Sequence, residues 1–252
     1  MLQDLNRRQR EAAAFLEGPS LVLAGAGSGK TRVITAKIAH LITHTQMPAR
    51  HIYAVTFTNK AAREMKARVG KLLKGGSGNG LNISTFHTLG LNLLRREHQA
   101  AGLRPGFSIL DEQDVEQLLK ELSKKNELDK ETLKQARWQI SHWKNELIDP
   151  DTAMSQAEND FQVFYAALYR AYRDALKAYN ALDFDELILR PVELLRNDPL
   201  LLERWQNRVR HLLVDEYQDT NGAQYELVRL LVGVQARFTV VGDDDQSLYA
   251  WR

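Results

Sequence analysis

The chain has 252 residues, of which 44% are hydrophobic and 26% charged. These values exclude a disordered, collagen-like or low-complexity protein. Lys and Arg number 34, Asp and Glu 32, and cysteine is absent, which excludes disulfide bonds, thiolate metal sites and a cysteine nucleophile. Without an apolar signal core or a run of about 18 apolar residues, the sequence predicts a soluble, cytoplasmic protein.

Basic residues are concentrated in the first third of the chain. Residues 1–87 contain 13 Lys and Arg against 4 Asp and Glu, whereas residues 88–196 and 197–252 each carry more acidic than basic side chains. This asymmetry indicates an anionic ligand for the first segment. A solvated basic surface would give the same counts, and on charge alone it is the favoured interpretation.

Strand-like and helix-like segments alternate near the N-terminus. Near-continuous apolar runs are typical of buried parallel strands, and alternation with helices predicts an α/β fold with a parallel sheet. The predicted strands are Ser20–Ala24, Ile52–Thr56, Leu212–Asp215 and Phe238–Gly242, and the helices after the first two are Thr31–Leu41 and Lys60–Leu73.

The middle of the chain, from about Leu89 to Leu195, has mostly helical patterning. One apolar stripe at helical spacing follows Asp111, which we predict to be its N-cap. A second stripe is aromatic, and core packing is the favoured interpretation over a base-stacking surface. The stripes are Val115, Leu118, Leu119 and Leu122, and Phe161, Tyr165, Leu168, Tyr169, Tyr172 and Leu176. The sequence therefore predicts a helical subdomain inserted into an α/β domain.

A glycine-rich segment between the first predicted strand and helix has the pattern of a phosphate-binding loop. Glycines let successive N–H groups point at phosphate oxygens, and the helix N-terminus adds positive potential. Lys30 would reach the β- and γ-phosphates of ATP, and the Thr31 hydroxyl would ligate Mg²⁺. Ala24 replaces the usual first glycine, a position that needs only a small residue. The segment comprises Ala24, Gly25, Ala26, Gly27, Ser28, Gly29, Lys30 and Thr31.

An acidic pair follows the third predicted strand. Ligands collect at the carboxyl ends of strands in open α/β sheets, and Asp215 and Glu216 stand at such an end. Asp215 can hold Mg²⁺, directly or through water, and Glu216 can orient or deprotonate an attacking water. Alone, an Asp-Glu pair after a strand is equally compatible with a surface turn; the phosphate loop makes the catalytic interpretation stronger.

Five ordered segments resemble motifs of the superfamily 1A DNA helicases, the UvrD/Rep/PcrA family. The segment beginning at Leu213-Val214-Asp215-Glu216 resembles motif II, and the segment from Val241 to Arg252 resembles motif III. The other three are Leu5-Asn6-Arg7-Arg8-Gln9 (Q motif), Ala54-Val55-Thr56-Phe57-Thr58-Asn59-Lys60-Ala61-Ala62 (motif Ia) and Ile83-Ser84-Thr85-Phe86-His87-Thr88 (the next DNA-contacting motif).

The resemblance implies roles for further residues. Gln9 would contact the adenine edge, Arg32 would lie against the adenine ring, and Gln246 would sense the γ-phosphate. Single-stranded DNA would be bound by Phe57, Asn59, His87, Tyr249, Trp251 and Arg252. Stacking on aromatic side chains suits a sequence-blind translocase. Alternative interpretations stay open for three of these: Phe57 as a core aromatic, Trp251 as a frayed chain end and His87 as a core histidine.

The resemblance also implies domains and activity. A RecA-like P-loop NTPase domain 1A would comprise residues 1–87 and 197–252, interrupted by the helical domain 1B at residues 88–196. The expected activity is ATP- and Mg²⁺-dependent 3′ to 5′ movement on single-stranded DNA and at single-strand/duplex junctions, in the bacterial cytoplasm at the nucleoid. We expect a truncated helicase, lacking a second RecA-like domain with the arginine finger, and replication or repair proteins as partners.

Three alternatives share parts of this pattern. The motor subunit of a helicase–nuclease has the same motifs and would differ in C-terminal sequence. A nucleic-acid-binding module with an inert ATP site is disfavoured by intact Lys30, Thr31, Asp215 and Glu216. A phosphate-loop kinase would need an acceptor pocket, and motifs Ia and III fit DNA better.

Overall fold

A computed structural model describes residues 2–25, 27–73, 78–123, 129–233 and 237–243. Two compact units divide the chain. The first, here the sheet unit, comprises Met1–Leu89, Leu195–Thr220 and Val228–Arg252; the second, the helical unit, comprises Gly90–Leu194 and Asn221–Leu227. The assignment of residues 1–87, 88–196 and 197–252 to domains 1A and 1B stays a prediction.

Seven strands and eleven α-helices are formed by the described residues. The strands are β1 (Ser20–Leu23), β2 (Ile52–Thr56), β3 (Asn82–Thr85), β4 (Ser108–Ile109), β5 (Ala181–Leu182), β6 (His211–Val214) and β7 (Arg237–Gly242). The helices are α1 (Arg7–Ala14), α2 (Lys30–Thr43), α3 (Asn59–Leu72), α4 (Phe86–Arg96), α5 (Glu112–Leu122), α6 (Lys130–Asn145), α7 (Pro150–Ser155), α8 (Asp160–Tyr179), α9 (Glu186–Asn197), α10 (Pro199–Arg208) and α11 (Gly222–Val232).

The sheet unit is built on a parallel five-stranded sheet with the order β1-β7-β6-β2-β3. All residues of β2 and β6 are buried, which explains their continuous apolar sequence. Because every strand pair is parallel, all five carboxyl ends meet at one edge of the sheet. We call it the carboxyl edge. Along it follow the loop after β1, then the residues after β7, β6, β2 and β3.

Helix α2 packs an apolar face onto this sheet. Ile34, Ile38 and Leu41 recur at helical spacing and lie in one core cluster with Leu213 and Val241 of the strands. Burying each such side chain contributes about 1.5–3 kcal/mol. Packing of this face therefore fixes the position of α2 on the sheet, and with it the position of the loop that precedes the helix.

The predicted α/β fold with a parallel sheet is confirmed. The four predicted strands and two predicted helices are present, with ends shifted by at most two residues. Strand β3 was not predicted as a strand, because Asn82 and Ser84 alternate with Ile83 and Thr85 and break the apolar run. Its burial alternates accordingly, as expected for the outermost strand.

The helical unit confirms most of the helical patterning. Asp111 caps α5 by accepting hydrogen bonds from the N–H groups of Gln113 and Asp114, as its position predicts. The aromatic stripe forms the core-facing side of α8, with Tyr165, Leu168, Tyr169, Tyr172 and Leu176 buried. The assignment of Phe161 to this core was wrong: it is 66% exposed, because it lies in the first turn of α8, outside the packed part.

A buried ionic cluster lies in the helical unit. The Lys144 ammonium, fully buried on α6, donates to Asp183 Oδ2 at 2.6 Å and lies 3.1 Å from Glu186 Oε1. The Tyr172 hydroxyl donates to the same Asp183 oxygen at 2.7 Å. Burial alone would lower the pKa of Lys144, but the charges of Asp183 and Glu186 raise it above its ordinary value. Lys144 therefore stays charged inside this core.

No helix in the described part of the chain is both long and apolar enough to cross a membrane.

Candidate functional site at the carboxyl edge of the sheet

The glycine-rich segment forms a tight loop between β1 and α2. Gly27 and Gly29 have left-handed backbones, with φ of 73° and 89°. A Cβ on Gly29 would lie 2.8 Å from Gln9 Nε2, the movable end of a side chain, so the left-handed φ is what requires glycine at this position. Gly29 is also the N-cap of α2, whose first N–H groups point out of the helix. The loop and helix end together form an anion-binding geometry.

The Lys30 ammonium is held among carboxylates at this loop. Its Nζ lies 3.0 Å from Asp243 Oδ2, beyond the end of β7, and 3.9 Å from Glu216 Oε2. Both Lys30 and Asp243 are buried. A phosphate oxygen bound at the loop could replace the Asp243 carboxylate as the partner of Lys30. The buried ammonium would then keep a negatively charged partner throughout the exchange.

Thr31 and Asp215 face each other across the loop. The Thr31 hydroxyl donates to Asp215 Oδ2 at 3.4 Å. Burial, and after it the charge of Glu216, raises the pKa of Asp215 to about 6. A cation bound here would offset both effects, and hydroxyl and carboxylate oxygens are ligands that Mg²⁺ accepts. Among the described residues, no group of three or more His, Asp or Glu is arranged to hold a metal.

Glu216 has a strained backbone and a positioned carboxylate. Its φ of 52° and ψ of 46° are left-handed, which is uncommon for a residue with a side chain. The Gln218 amide donates to Glu216 Oε2 at 2.9 Å, and its oxygen accepts the Asp243 N–H at 3.1 Å. Gln218 thus links Glu216 to the end of β7. Such strain concentrates at functional positions.

Aromatic residues occupy the other half of the carboxyl edge. Phe57 follows β2 and Phe86 follows β3, and their rings meet edge to face with centroids 5.6 Å apart. Phe86 is buried, whereas Phe57 is half-buried. Asn59 is exposed at the start of α3, and His87 is half-buried in the first turn of α4. The structure brings these predicted DNA contacts to one edge; their role stays a prediction.

The two predicted adenine contacts are engaged within the protein. The Gln9 amide donates from Nε2 to the Ser28 carbonyl at 2.8 Å and accepts the Asn6 N–H at 3.2 Å. The Arg32 guanidinium donates to the Asp4 carbonyl at 2.6 Å. Gln9 therefore joins α1 to the loop, and Arg32 joins the N-terminal segment to the first turn of α2. Contact with adenine stays a prediction for both.

Comparison with known proteins identifies the family. The family model for the UvrD/REP helicase N-terminal domain matches residues 5–252. The chain belongs to this UvrD/REP family. Among curated relatives, the ATP-dependent DNA helicases Rep of Salmonella typhimurium (strain LT2) and Escherichia coli (strain K12) are each 57% identical over 249 residues, or 98% of this chain. The ATP-dependent DNA helicase PcrA of Staphylococcus epidermidis is 41% identical over 254 residues.

This UvrD/REP chain spans only part of its relatives. It covers 37% of the length of the two Rep helicases and 35% of the PcrA helicase. The activity, substrates and partners of the whole protein are therefore proposals for this chain. Five predicted site residues lie outside the described residues: Ala26, Gln246, Tyr249, Trp251 and Arg252.

The sequence reasoning missed residues that the folded UvrD/REP site includes. Asp243 was not singled out, although a carboxylate directly after a buried strand is the signal that identified Asp215. Gln218 has no comparable signal, because its role depends on β6 and β7 being neighbours. Phe86 is recognisable only after β3 is placed beside β2.

Proposed function

We propose that this chain is the ATP-binding and DNA-contacting N-terminal part of an ATP-dependent helicase that moves 3′ to 5′ on single-stranded DNA. One observation carries the proposal: a single sheet edge places the loop with Lys30, the carboxylates of Asp215 and Glu216, and the ring of Phe57 in series. A motor needs a nucleotide site and a DNA site that share one rigid element. The relatives are named ATP-dependent DNA helicases, which supports this proposal.

The residues of the nucleotide half have complementary roles. Loop N–H groups and Lys30 would bind the phosphates of ATP, and Thr31 and Asp215 would hold Mg²⁺, which screens phosphate charge when bound. Glu216 would accept a proton from the attacking water. Gln218 fixes its carboxylate oxygen, so the base is oriented before a nucleotide arrives.

The DNA half would couple to this chemistry through β6 and β2. These strands are hydrogen-bonded neighbours. Asp215 directly follows β6, and Phe57 directly follows β2, two residues beyond Val55, the last residue of β2 that pairs with β6. A shift of the acidic turn on hydrolysis would therefore act close to the base-contacting ring. We propose single strands and strand junctions as the substrates, the bacterial nucleoid as the location, and replication or repair proteins as partners.

Direct binding measurements on the 252-residue chain test the proposal. Titration with a fluorescent ATP analogue and Mg²⁺ should show saturable binding that Lys30→Ala weakens at least tenfold, since a charged phosphate contact is lost. Lys66→Ala is the matched control, because this lysine of α3 is exposed and lies outside the loop sequence. Equal binding by wild type and Lys30→Ala would contradict the nucleotide site.

A labelled oligothymidine tests the DNA half separately. Phe57→Ala should weaken its binding several-fold, because base stacking contributes about 1–3 kcal/mol per base. Phe161→Ala, which removes an exposed ring of the helical unit, should leave binding unchanged. An equal loss in both variants would contradict a DNA site at Phe57.

A further inference from the structure

A cavity lies at the opposite, amino edge of the sheet, away from the nucleotide loop. Its volume is about 350 Å³, within the range of small-molecule sites. His211 and Arg237 are the first residues of β6 and β7 and occupy paired positions in the sheet. Arg210 precedes His211, and Leu16, Leu41 and Met47 supply apolar walls. The proposed ATPase and DNA functions use none of these residues.

The cavity is strongly cationic. Arg210 and Arg237 both line it, and none of the described lining residues is acidic. The Arg237 guanidinium donates to the Leu16 carbonyl and is thereby held at the wall. The Arg210 side chain is exposed and has neither a hydrogen bond nor an ion pair with any described residue. Two guanidinium groups over an apolar floor favour an anion that carries a short apolar body.

A buried histidine adds an unmet hydrogen-bonding atom. His211 is fully buried, and its Nδ1 has no partner among the described residues. Its Nε2 lies 3.3 Å from the Thr239 hydroxyl, which is 3.5 Å from the Ser20 hydroxyl. Lys37 donates to Ser20 Oγ at 3.4 Å. His211 therefore lines the cavity with one ring nitrogen that the described residues leave without a hydrogen-bond partner.

The order of these hydrogen bonds favours one tautomer. An ammonium only donates, so Ser20 accepts from Lys37 and donates its own hydrogen to Thr239. With Thr239 donating in turn to His211 Nε2, that ring nitrogen is the acceptor. Burial, and after it the charges of Lys37 and Arg237, lowers the pKa of His211 to about 3, so the ring is neutral. In this tautomer Nδ1 carries the proton and is a donor without an acceptor among the described residues.

We propose that this cavity binds a small amphipathic anion, a carboxylate or a phosphate monoester on a short alkyl chain. The anionic oxygens would accept hydrogen bonds from Arg210, Arg237 and His211 Nδ1, and the alkyl chain would lie against Leu16, Leu41 and Met47. The site is independent of the nucleotide loop. An experiment that finds no anion binding in this cavity would therefore leave the proposed ATP and DNA binding untouched, and the reverse also holds.

Histidine ring NMR tests the site directly. The ¹⁵N-histidine-labelled 252-residue chain is titrated with hexanoate, butyl phosphate and the uncharged hexanamide, with His211 assigned from the His211→Gln spectrum. We expect a saturable shift of the His211 Nδ1–H signal with an anion, and at least tenfold weaker binding of hexanamide. A response to hexanoate alone identifies a carboxylate site, and a response to butyl phosphate alone identifies a phosphate site.

Two substitutions complete the test. Arg210→Ala removes an exposed side chain, leaves the sheet intact and should weaken anion binding at least fivefold, whereas Arg50→Ala, an exposed arginine just before β2, should have no effect. Lys30→Ala should also leave butyl phosphate binding unchanged, which separates this site from the phosphate loop. No shift with either anion, equal binding of hexanamide, or equal effects of Arg210→Ala and Arg50→Ala would overturn the proposal.

Discussion

Glu216 stores strain at the end of β6. A left-handed backbone at a residue with a side chain costs about 1–2 kcal/mol, and this one is maintained next to Asp215 by the hydrogen bond from Gln218. Glycine and asparagine tolerate positive φ best, yet Gln46 and Leu147 adopt it elsewhere in this chain. The chemical role proposed for the Glu216 carboxylate therefore depends on its hydrogen bond from Gln218 and its place beside Lys30.

Glu216→Gln tests that role at constant size. The amide keeps the side-chain shape but cannot take a proton from water, so ATP binding should persist while hydrolysis falls by at least 100-fold. An ATP-binding titration and single-turnover hydrolysis, both carried out on the whole protein, measure these two properties. Asp219→Asn, three residues along the same turn and exposed, is the matched control. Equal loss of binding and hydrolysis in Glu216→Gln would indicate a structural role instead.

His211 makes stability depend on pH. Its pKa is about 3 in the folded chain and about 6.5 in the unfolded chain, because burial and the charges of Lys37 and Arg237 oppose protonation. The unfolded state binds the proton first, so this contribution to stability is fully present above pH 6.5. It is lost as the pH falls toward 3, at about 1.4 kcal/mol per pH unit.

Urea unfolding between pH 4 and 6 measures this slope. His211→Gln should reduce the decline in the free energy of unfolding by up to about 1.4 kcal/mol per pH unit. His142→Gln, at an exposed histidine of α6, should keep the wild-type slope. A wild-type slope in His211→Gln would show that this ring does not titrate as proposed.

Helices α4 and α9 approach each other at a glycine. A Cβ added to Gly90 would lie 1.8 Å from the Leu187 carbonyl oxygen, which is backbone and cannot move aside cheaply. Pro191 stands four residues after Leu187 inside α9 and has no N–H, so it leaves this carbonyl without its usual helical partner. The close approach therefore depends on both the glycine and the proline.

Gly90→Ala should destabilise the chain by at least about 2 kcal/mol, since overpacking forces the two backbones apart. Gly70→Ala is the matched control: Gly70 lies in α3, and nothing occupies the space within 4 Å of its added Cβ. This substitution should stabilise by up to about 1 kcal/mol through helix propensity. Denaturant unfolding compares them, and equal effects would contradict the close contact.

At the scale of the whole molecule, each unit has its own core. The core of the helical unit combines aliphatic side chains with Trp143 and three tyrosines, one of which, Tyr172, contacts the Lys144 cluster. The core cluster around α2 in the sheet unit consists instead of aliphatic residues and methionine. A buried ion pair whose partner is removed leaves an uncompensated charge. A substitution in the Lys144 cluster should therefore destabilise the helical unit more than the sheet unit.

Lys144→Met should cost about 3–5 kcal/mol, because Asp183 and Glu186 would remain buried without their cation. Hydrogen exchange measured by mass spectrometry should show faster exchange in α6, α8 and α9 than in β1, β2 and β6. Lys134→Met, at an exposed position of the same helix, should leave exchange unchanged. A uniform increase over both units would mean that they unfold as one.

Local chemistry made much of this protein predictable from its sequence. The loop with Lys30 and Thr31 and the strand ending at Asp215 are recognisable because a few consecutive residues specify a glycine-rich turn or a buried strand. The cap at Asp111 and most of the stripe on α8 follow from spacing within one helix. Such features depend on neighbours in the chain, so the residue pattern alone contains them.

Tertiary structure decided the remainder. Asp243 reaches Lys30, and Gln218 reaches both Glu216 and the end of β7, only because the strand order places β7 between β1 and β6. The cavity at Arg210 and His211 and the burial of Lys144 likewise join residues far apart in sequence. Pairing between distant segments depends on how whole faces pack, and no local pattern of residues encodes that choice.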